Sequence, residues 1–275
     1  MIGTIFNLIF MGPLVNLLVL IWRFLESVRV PGALGFSIIL LTLLIRFIIW
    51  PLMSAQIRSA KKMTELKPRM DELKKKHKDD KTSLQLALKD LYKEQNFNPA
   101  AGCLPTLLQF PILIALYQAI LAFFGGSEGL KTINDLLYID TWRMNTPPDP
   151  YFFGINLTTK PSEFSALGFG LILVPVLTAF LQFLQSKMTM PKVVKEYPSD
   201  SPKEKKEKES MEDIMPQVQS QMMYLMPVMI GYFAFQFPIG LALYWNTFTV
   251  LGIIQQHKIS GWGGLEPWIK ILKKD

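Results

Sequence analysis

Five long apolar runs, at 34–53, 104–124, 166–186, 222–237 and 239–254, contain no Asp or Glu, and four of the five carry no charge of either sign. A bilayer core is crossed by about 20 helical residues, which the first three runs reach and the last two approach. Inside lipid every backbone N–H and C=O must be satisfied within the segment, so such runs resolve into helices. The exception to the absence of charge is Arg46, in the middle of the first run. An arginine at that depth costs about 2.5–3.5 kcal/mol on insertion scales, and none of the runs offers it a carboxylate. It is therefore either solvated in a water-filled cavity or met by a negative charge that something else brings.

Half of the 275 residues are hydrophobic, as expected of an all-α, multi-pass membrane protein. One Cys and two His leave no disulfide within the chain and no Cys/His metal site, so no cofactor is expected. There is no HExxH, GxSxG or phosphate-cradling glycine loop, and an enzyme is not expected either. The net charge of +7 reads as topology and contact with anionic lipid rather than as direct nucleic-acid specificity.

The loops set the orientation. Residues 56–98 hold twelve Lys/Arg against seven Asp/Glu, and residues 125–164 hold three against five. Basic loops stay in the cytoplasm, which puts the N-terminus outside and the C-terminus inside. The organisation expected is an extracytoplasmic, interfacial helix in 1–33, a first span in 34–55 and a cytoplasmic hairpin in 56–98. A second span in 99–124, an outer loop in 125–164 and a third span in 165–187 follow. A charged cytoplasmic loop, 188–218, leads to the paired fourth and fifth spans of 219–257 and a cytoplasmic tail, 258–275. Residues 1–28 are the ambiguous part. They are apolar enough for a sixth span or a signal-peptide core, but no basic residue precedes the run, no small-residue cleavage site follows it, and Asn7, Pro13 and Asn16 interrupt it. The stripe Leu14, Leu17, Leu18, Ile21, Leu25, Val28 favours an amphipathic helix lying in the outer interface.

In 56–98, Met63, Leu66, Met70, Leu73 and His77 recur at intervals of three and four, as do Leu84, Leu88, Leu91 and Gln95. This spacing predicts two antiparallel helices joined by a turn at 78–81, with a thin seam that leaves the hairpin mobile. Pro68 is expected to kink or end the first helix. The segment 191–213, with three prolines and a run of alternating charge, reads as a flexible linker.

Polar groups at span depth are Thr42, one turn before Arg46, with Gln109, Gln182, Gln185, Asn246 and Thr247. Singly, each reads as an interhelical hydrogen bond worth ~0.6 kcal/mol. Set around an unpaired arginine, they predict a hydrated cavity. Met222, Met223, Met226 and Met229 form a flexible apolar face suited to varied partners, although ordinary packing accounts for them equally well.

Four stretches then resemble the YidC/Oxa/Alb membrane protein insertases: GFSIILLTLLIRFIIWPL (35–52), NPAAGCLPTLLQFPILIALYQ (98–118), FLQSKM (183–188) and FPIGLALYWNTFTVLGIIQQ (237–256). The resemblance implies a five-span core with a hydrophilic groove open to cytoplasm and lipid, in a bacterial plasma membrane. Arg46 matches the groove arginine, and Gln109 falls in the second-span motif. Gln185, or Gln182 if the alignment slips, matches the groove glutamine; Tyr244 and Trp245 match the aromatic pair past which substrates slide. Residues 56–98 match the family's cytoplasmic hairpin and 13–28 its interfacial helix. The sequence departs from some bacterial members in having no large extracytoplasmic domain before the first span. Its short, mildly basic tail argues against strong tail-mediated ribosome binding, and Cys103 is no N-terminal lipid anchor. Implied partners are nascent membrane proteins, the ribosome through hairpin and tail, a Sec translocon and the lipid bilayer. Two other readings stay open from the residues: a small anion channel or transporter using Arg46 as its selectivity charge, and a structural chaperone within a larger translocon.

Overall fold

A computed structural model describes residues 2–77, 80–98, 104–189 and 211–272. Cys103 and nearly all of the charged linker lie outside them. In chain order, α1 (Ile2–Phe6) continues through a π-helical turn (Asn7–Met11) into α2 (Gly12–Ser27), followed by α3 (Ala33–Ile48), α4 (Trp50–Lys76), α5 (Lys81–Glu94) and α6 (Leu104–Phe124). After α7 (Gly126–Leu136) comes a small antiparallel hairpin, β1 (Tyr151–Phe152) with β2 (Ile155–Asn156). The helices α8 (Phe164–Leu167), α9 (Leu173–Met188), α10 (Met211–Gln236), α11 (Ile239–Ser260) and α12 (Glu266–Leu272) complete the chain. The chain forms two compact units. One comprises Met1–Ile49, Leu107–Phe183 and Tyr224–Gly252; the other comprises Trp50–Thr106, Leu184–Met223 and Ile253–Asp275.

The first unit has one apolar core. Val15, Leu18 and Val19 of α2, Leu34, Ile38 and Leu41 of α3, Ala115, Leu116 and Ile120 of α6 and Leu241 of α11 are all buried in it. Asn7, Pro13 and Asn16 do not interrupt the N-terminal helix. Pro13 disturbs the ordinary ladder, and the helix answers by widening one turn, so that Gly12 N–H bonds to Asn7 C=O. Asn16 stays helical, donates to the Gly12 and Leu136 carbonyls at 2.8 Å each, and accepts from Tyr138 N–H at 2.8 Å. The buried stripe runs through Met11, Leu14, Val15, Leu18, Val19 and Trp22, whereas Val28 is exposed. Among the described residues Gly3–Ser27 and Phe169–Met188 are long and apolar enough to cross a membrane, and a third stretch qualifies if α3 and α4 count as one broken span. Gly3–Ser27 thus meets the length requirement of the sixth span that the sequence had weighed against an interfacial helix.

The loop between α6 and α9 is internally braced. Asn134 donates to Met144 C=O at 2.8 Å and accepts from Met144 N–H at 2.9 Å, closing the loop like a backbone pair. Phe153 and Gly154, both at positive φ, turn β1 into β2. Phe152 packs on α3 so closely that a Cβ on Gly35 would lie 2.2 Å from its ring, which accounts for a glycine inside that helix. Leu157 and Thr159 supply carbonyls to the otherwise unpaired Gly240 and Ile239 N–H groups at the start of α11, each at 2.9 Å. The break between the last two long helices is short, with α10 ending at Gln236 and α11 starting at Ile239.

In the second unit α4 and α5 form the expected hairpin. Leu66, Leu91 and Phe97 are buried together, flanked by Met63, Met70, Leu73 and Tyr92. Pro68 does not end the first helix: α4 is helical from Trp50 through Lys76. The proline is exposed, so its ring lies away from the buried seam. Asp80 caps α5, accepting from the Thr82 and Ser83 N–H groups at 3.0 Å and the Ser83 hydroxyl at 2.6 Å. Those hydrogen bonds from Ser83 hold its carboxyl below the usual range.

Candidate functional site

Arg46 lies in the last turn of α3 and is 2 % exposed. Its guanidinium carbon stands 4.2 Å above the centre of the Phe248 ring. Nε and Nη1 are buried and make no hydrogen bond among the described residues, which also hold no carboxylate paired with it. A desolvated cation–π contact is worth about 2 kcal/mol, while the desolvation of a buried ion costs several. The ring therefore offsets only part of the cost. Thr42, one turn back and equally buried, spends its hydroxyl proton on Ile38 C=O at 2.6 Å and keeps its oxygen as an acceptor.

Facing groups come from α11. Phe248 and Tyr244 are four residues apart, on one face, with ring centres 5.9 Å apart. Tyr244, 2 % exposed, accepts a 2.7 Å hydrogen bond from Gln109 Nε2 on α6. A continuous row thus runs Gln109, Tyr244, Phe248, Arg46 across three helices. Asn246 Oδ1 is buried without a hydrogen-bond partner among the described residues, and Thr247 bonds back to Leu243 C=O at 2.8 Å.

The remaining expected residues are dispersed. Trp245 is half-buried on α11. Gln182 is half-buried on α9 in the same unit, with no hydrogen bond to the row among the described residues, and Gln185 belongs to the second unit. On α10 the exposed face carries Tyr224, Leu225, Val228, Met229 and Tyr232, with Met226 half-buried. The side chains of Met222 and Met223 lie outside the described residues. Sequence reasoning missed Phe248, whose signal was its place one helical turn after Tyr244. It also passed over Gln255, fully buried, which donates to Trp50 C=O at 3.0 Å and to Ser54 Oγ at 2.9 Å.

The sequence profile of the 60Kd inner membrane protein family matches residues 26–262. The membrane protein insertase YidC of Pseudoalteromonas atlantica is 34% identical over 224 residues, covering 82% of this chain and 32% of its own. That of Methylobacillus flagellatus is 32% identical over 241 residues, covering 88% of this chain and 35% of its own. The chain spans about a third of the length of these curated relatives. A crystal structure of an active YidC insertase, with its first transmembrane domain resolved, matches with a TM-score of 0.50 at 24% identity. The match covers 86% of this chain and 44% of that one, and the two share a fold.

Proposed function

The chain belongs to the 60Kd inner membrane protein family, the YidC/Oxa group, and from that membership we propose that it inserts nascent membrane proteins into the bilayer without nucleotide or catalytic chemistry. The observation that carries this reading is the buried Arg46, two of whose charged donors have no hydrogen-bond partner among the described residues. Water or a passing anionic group completes them. An acidic substrate tail enters a cytoplasm-open groove and meets Arg46, while amide and hydroxyl groups along the row replace part of its hydration. Because Arg46 is 2 % exposed, the tail reaches it when α11 draws away from α3. The apolar segment that follows slides past Tyr244, Trp245 and the methionine face of α10 into lipid. Its transfer, at ~25 cal/mol per Å² of apolar surface, supplies the driving force. The membrane potential adds about 2.3 kcal/mol per acidic charge moved outward at 100 mV.

The proposed topology has five spans, with the 125–164 loop outside and the 56–98 hairpin and 258–275 tail in the cytoplasm, where a ribosome and a Sec translocon would meet them. The test is reconstitution of the protein alone in vesicles with a one-span substrate bearing an acidic tail. Insertion is expected with the native protein, to be largely kept by Arg46→Lys, and to fall on the order of tenfold with Arg46→Ala, a loss of ~1.4 kcal/mol. Normal insertion by Arg46→Ala sinks the attraction step. Anion flux without insertion assigns the arginine to a channel instead, and insertion only in the presence of a translocon makes the chain an auxiliary chaperone.

A further inference from the structure

Away from the arginine row, the second unit holds a basic cavity of about 520 Å³ lined by Arg58, Lys61, Lys62, Glu65, Lys258 and Ile259. Arg58, Lys61, Lys62 and Glu65 recur at intervals of three, one and three along α4, so they share one face, and Lys258 closes the cavity from the last turn of α11. Four cations against one carboxylate leave a local excess of three positive charges. Lys62 is fixed in place by donating to Gln95 C=O at the end of α5, while Arg58, Lys61 and Lys258 are exposed toward the opening.

Depth along the helix identifies the kind of anion. Lys258 lies 19 residues beyond Ile239, the first residue of α11, and at 1.5 Å per residue that is about 28 Å, the thickness of a hydrocarbon core. The cavity therefore sits at headgroup level. Nearby, Trp262 packs against His257 with tilted rings whose centres are 4.2 Å apart and is 36% exposed, as a residue anchored at a membrane interface would be. Ile259 gives the otherwise polar cavity one aliphatic wall.

We propose that this cavity binds the phosphate of an anionic phospholipid, with Arg58, Lys61 and Lys258 contacting the headgroup and Ile259 against its glycerol end. A headgroup phosphate fits the combination of clustered donors, an apolar wall and interfacial depth, whereas an extended nucleic-acid backbone needs a longer basic track. Glu65 at the rim favours a singly charged headgroup over a more densely charged polyanion. The inference rests on the proposed function only in taking this end of α11 to leave the bilayer; it does not depend on substrate insertion.

The full chain in detergent, titrated with phosphatidylglycerol or phosphatidylcholine and read by native mass spectrometry, tests it. One phosphatidylglycerol is expected to remain bound under conditions that strip phosphatidylcholine. Each of Arg58→Gln, Lys61→Gln and Lys258→Gln should lower its affinity roughly fivefold, and Glu65→Gln should raise it. Lys67→Gln, Lys75→Gln and Lys89→Gln, together a charge-matched control elsewhere on the hairpin, should leave it unchanged. Equal retention of the two lipids, or equal loss in the control, overturns the proposal. Displacement by millimolar inorganic phosphate reassigns the cavity to free phosphate, and preferential binding of a short RNA oligonucleotide reassigns it to RNA; either result refutes the lipid assignment. Native lipid retention together with failed insertion in vesicles would count against the insertase reading alone.

Discussion

Replacing Phe248 with Leu keeps an apolar side chain beneath Arg46 but removes the ring face that attracts the cation. The expected loss is about 2 kcal/mol of stability, with Phe248→Tyr close to native, measured by thermal unfolding of the purified protein in detergent. Asn16 offers a second case. Its side chain serves the Leu136 carbonyl and the Tyr138 N–H, so Asn16→Leu leaves these two loop groups unpaired at a cost of roughly 1–3 kcal/mol. Arg46 and Tyr244 were legible in the sequence because a charge in an apolar run, or an aromatic pair in a matching motif, stands out against its neighbours. Phe248 was not, because a phenylalanine in a span has the same composition signal whether it faces lipid or a cation. Asn16 was legible only as a polar break in an apolar run, because the Leu136 carbonyl and Tyr138 N–H that satisfy its amide lie about 120 residues further along the chain.

Among the elements, α3 and β1 make the most constrained contact. Gly35→Ala pushes a methyl into the Phe152 ring and is expected to destabilise the protein by ~1–3 kcal/mol, while Phe152→Ala in the same chain should relieve much of that penalty. Unfolding of the two single variants and the double variant measures the coupling, and strictly additive losses would contradict the clash. The hairpin's seam was visible as a spacing of three and four, but Phe97, which completes its buried cluster, sits off that spacing. Leu91→Ala should cost ~2–4 kcal/mol of hairpin stability and speed amide exchange in α4 and α5, leaving exchange in the first unit as it was. The Asp80 cap adds a pH signature. Its carboxyl is held below the usual range in the folded hairpin, so the capping contribution is complete above the unfolded value and is lost as pH falls through the lowered one. Amide exchange at Thr82 and Ser83 should rise over that acidic interval relative to the intrinsic rate, and Asp80→Ala should abolish the pH dependence.

For the whole molecule, orientation is the property most open to a direct check. With Cys103 replaced by Ser, a cysteine at Lys131 should react with an impermeant reagent added from outside intact cells, and one at Lys61 only after the membrane is opened. The reverse pattern would invert the topology argued from the basic loops. Fold class was legible at this scale because apolar length is a property of single segments. The packing of the loop between α6 and α9 was not, since Phe152 and Leu157 take their meaning from partners far along the chain, and no spacing rule encodes such pairs.

The carbonyls of Leu157 and Thr159 that receive the first N–H groups of α11, and the Phe152 ring seated on Gly32 and Gly35 at the start of α3, belong to one loop. Two helices clamped at the same end by a common strap behave as the arms of a pair of tweezers: they separate by pivoting, with the least travel at the strap and the most at the far tips. Arg46 sits in the last turn of α3 and Phe248 near the middle of α11, both at a distance from the strap. A small rotation at the strap would thus be magnified into a wider separation at the cation, and a substitution that loosens the strap would trade that one-ended motion for a leak at both ends.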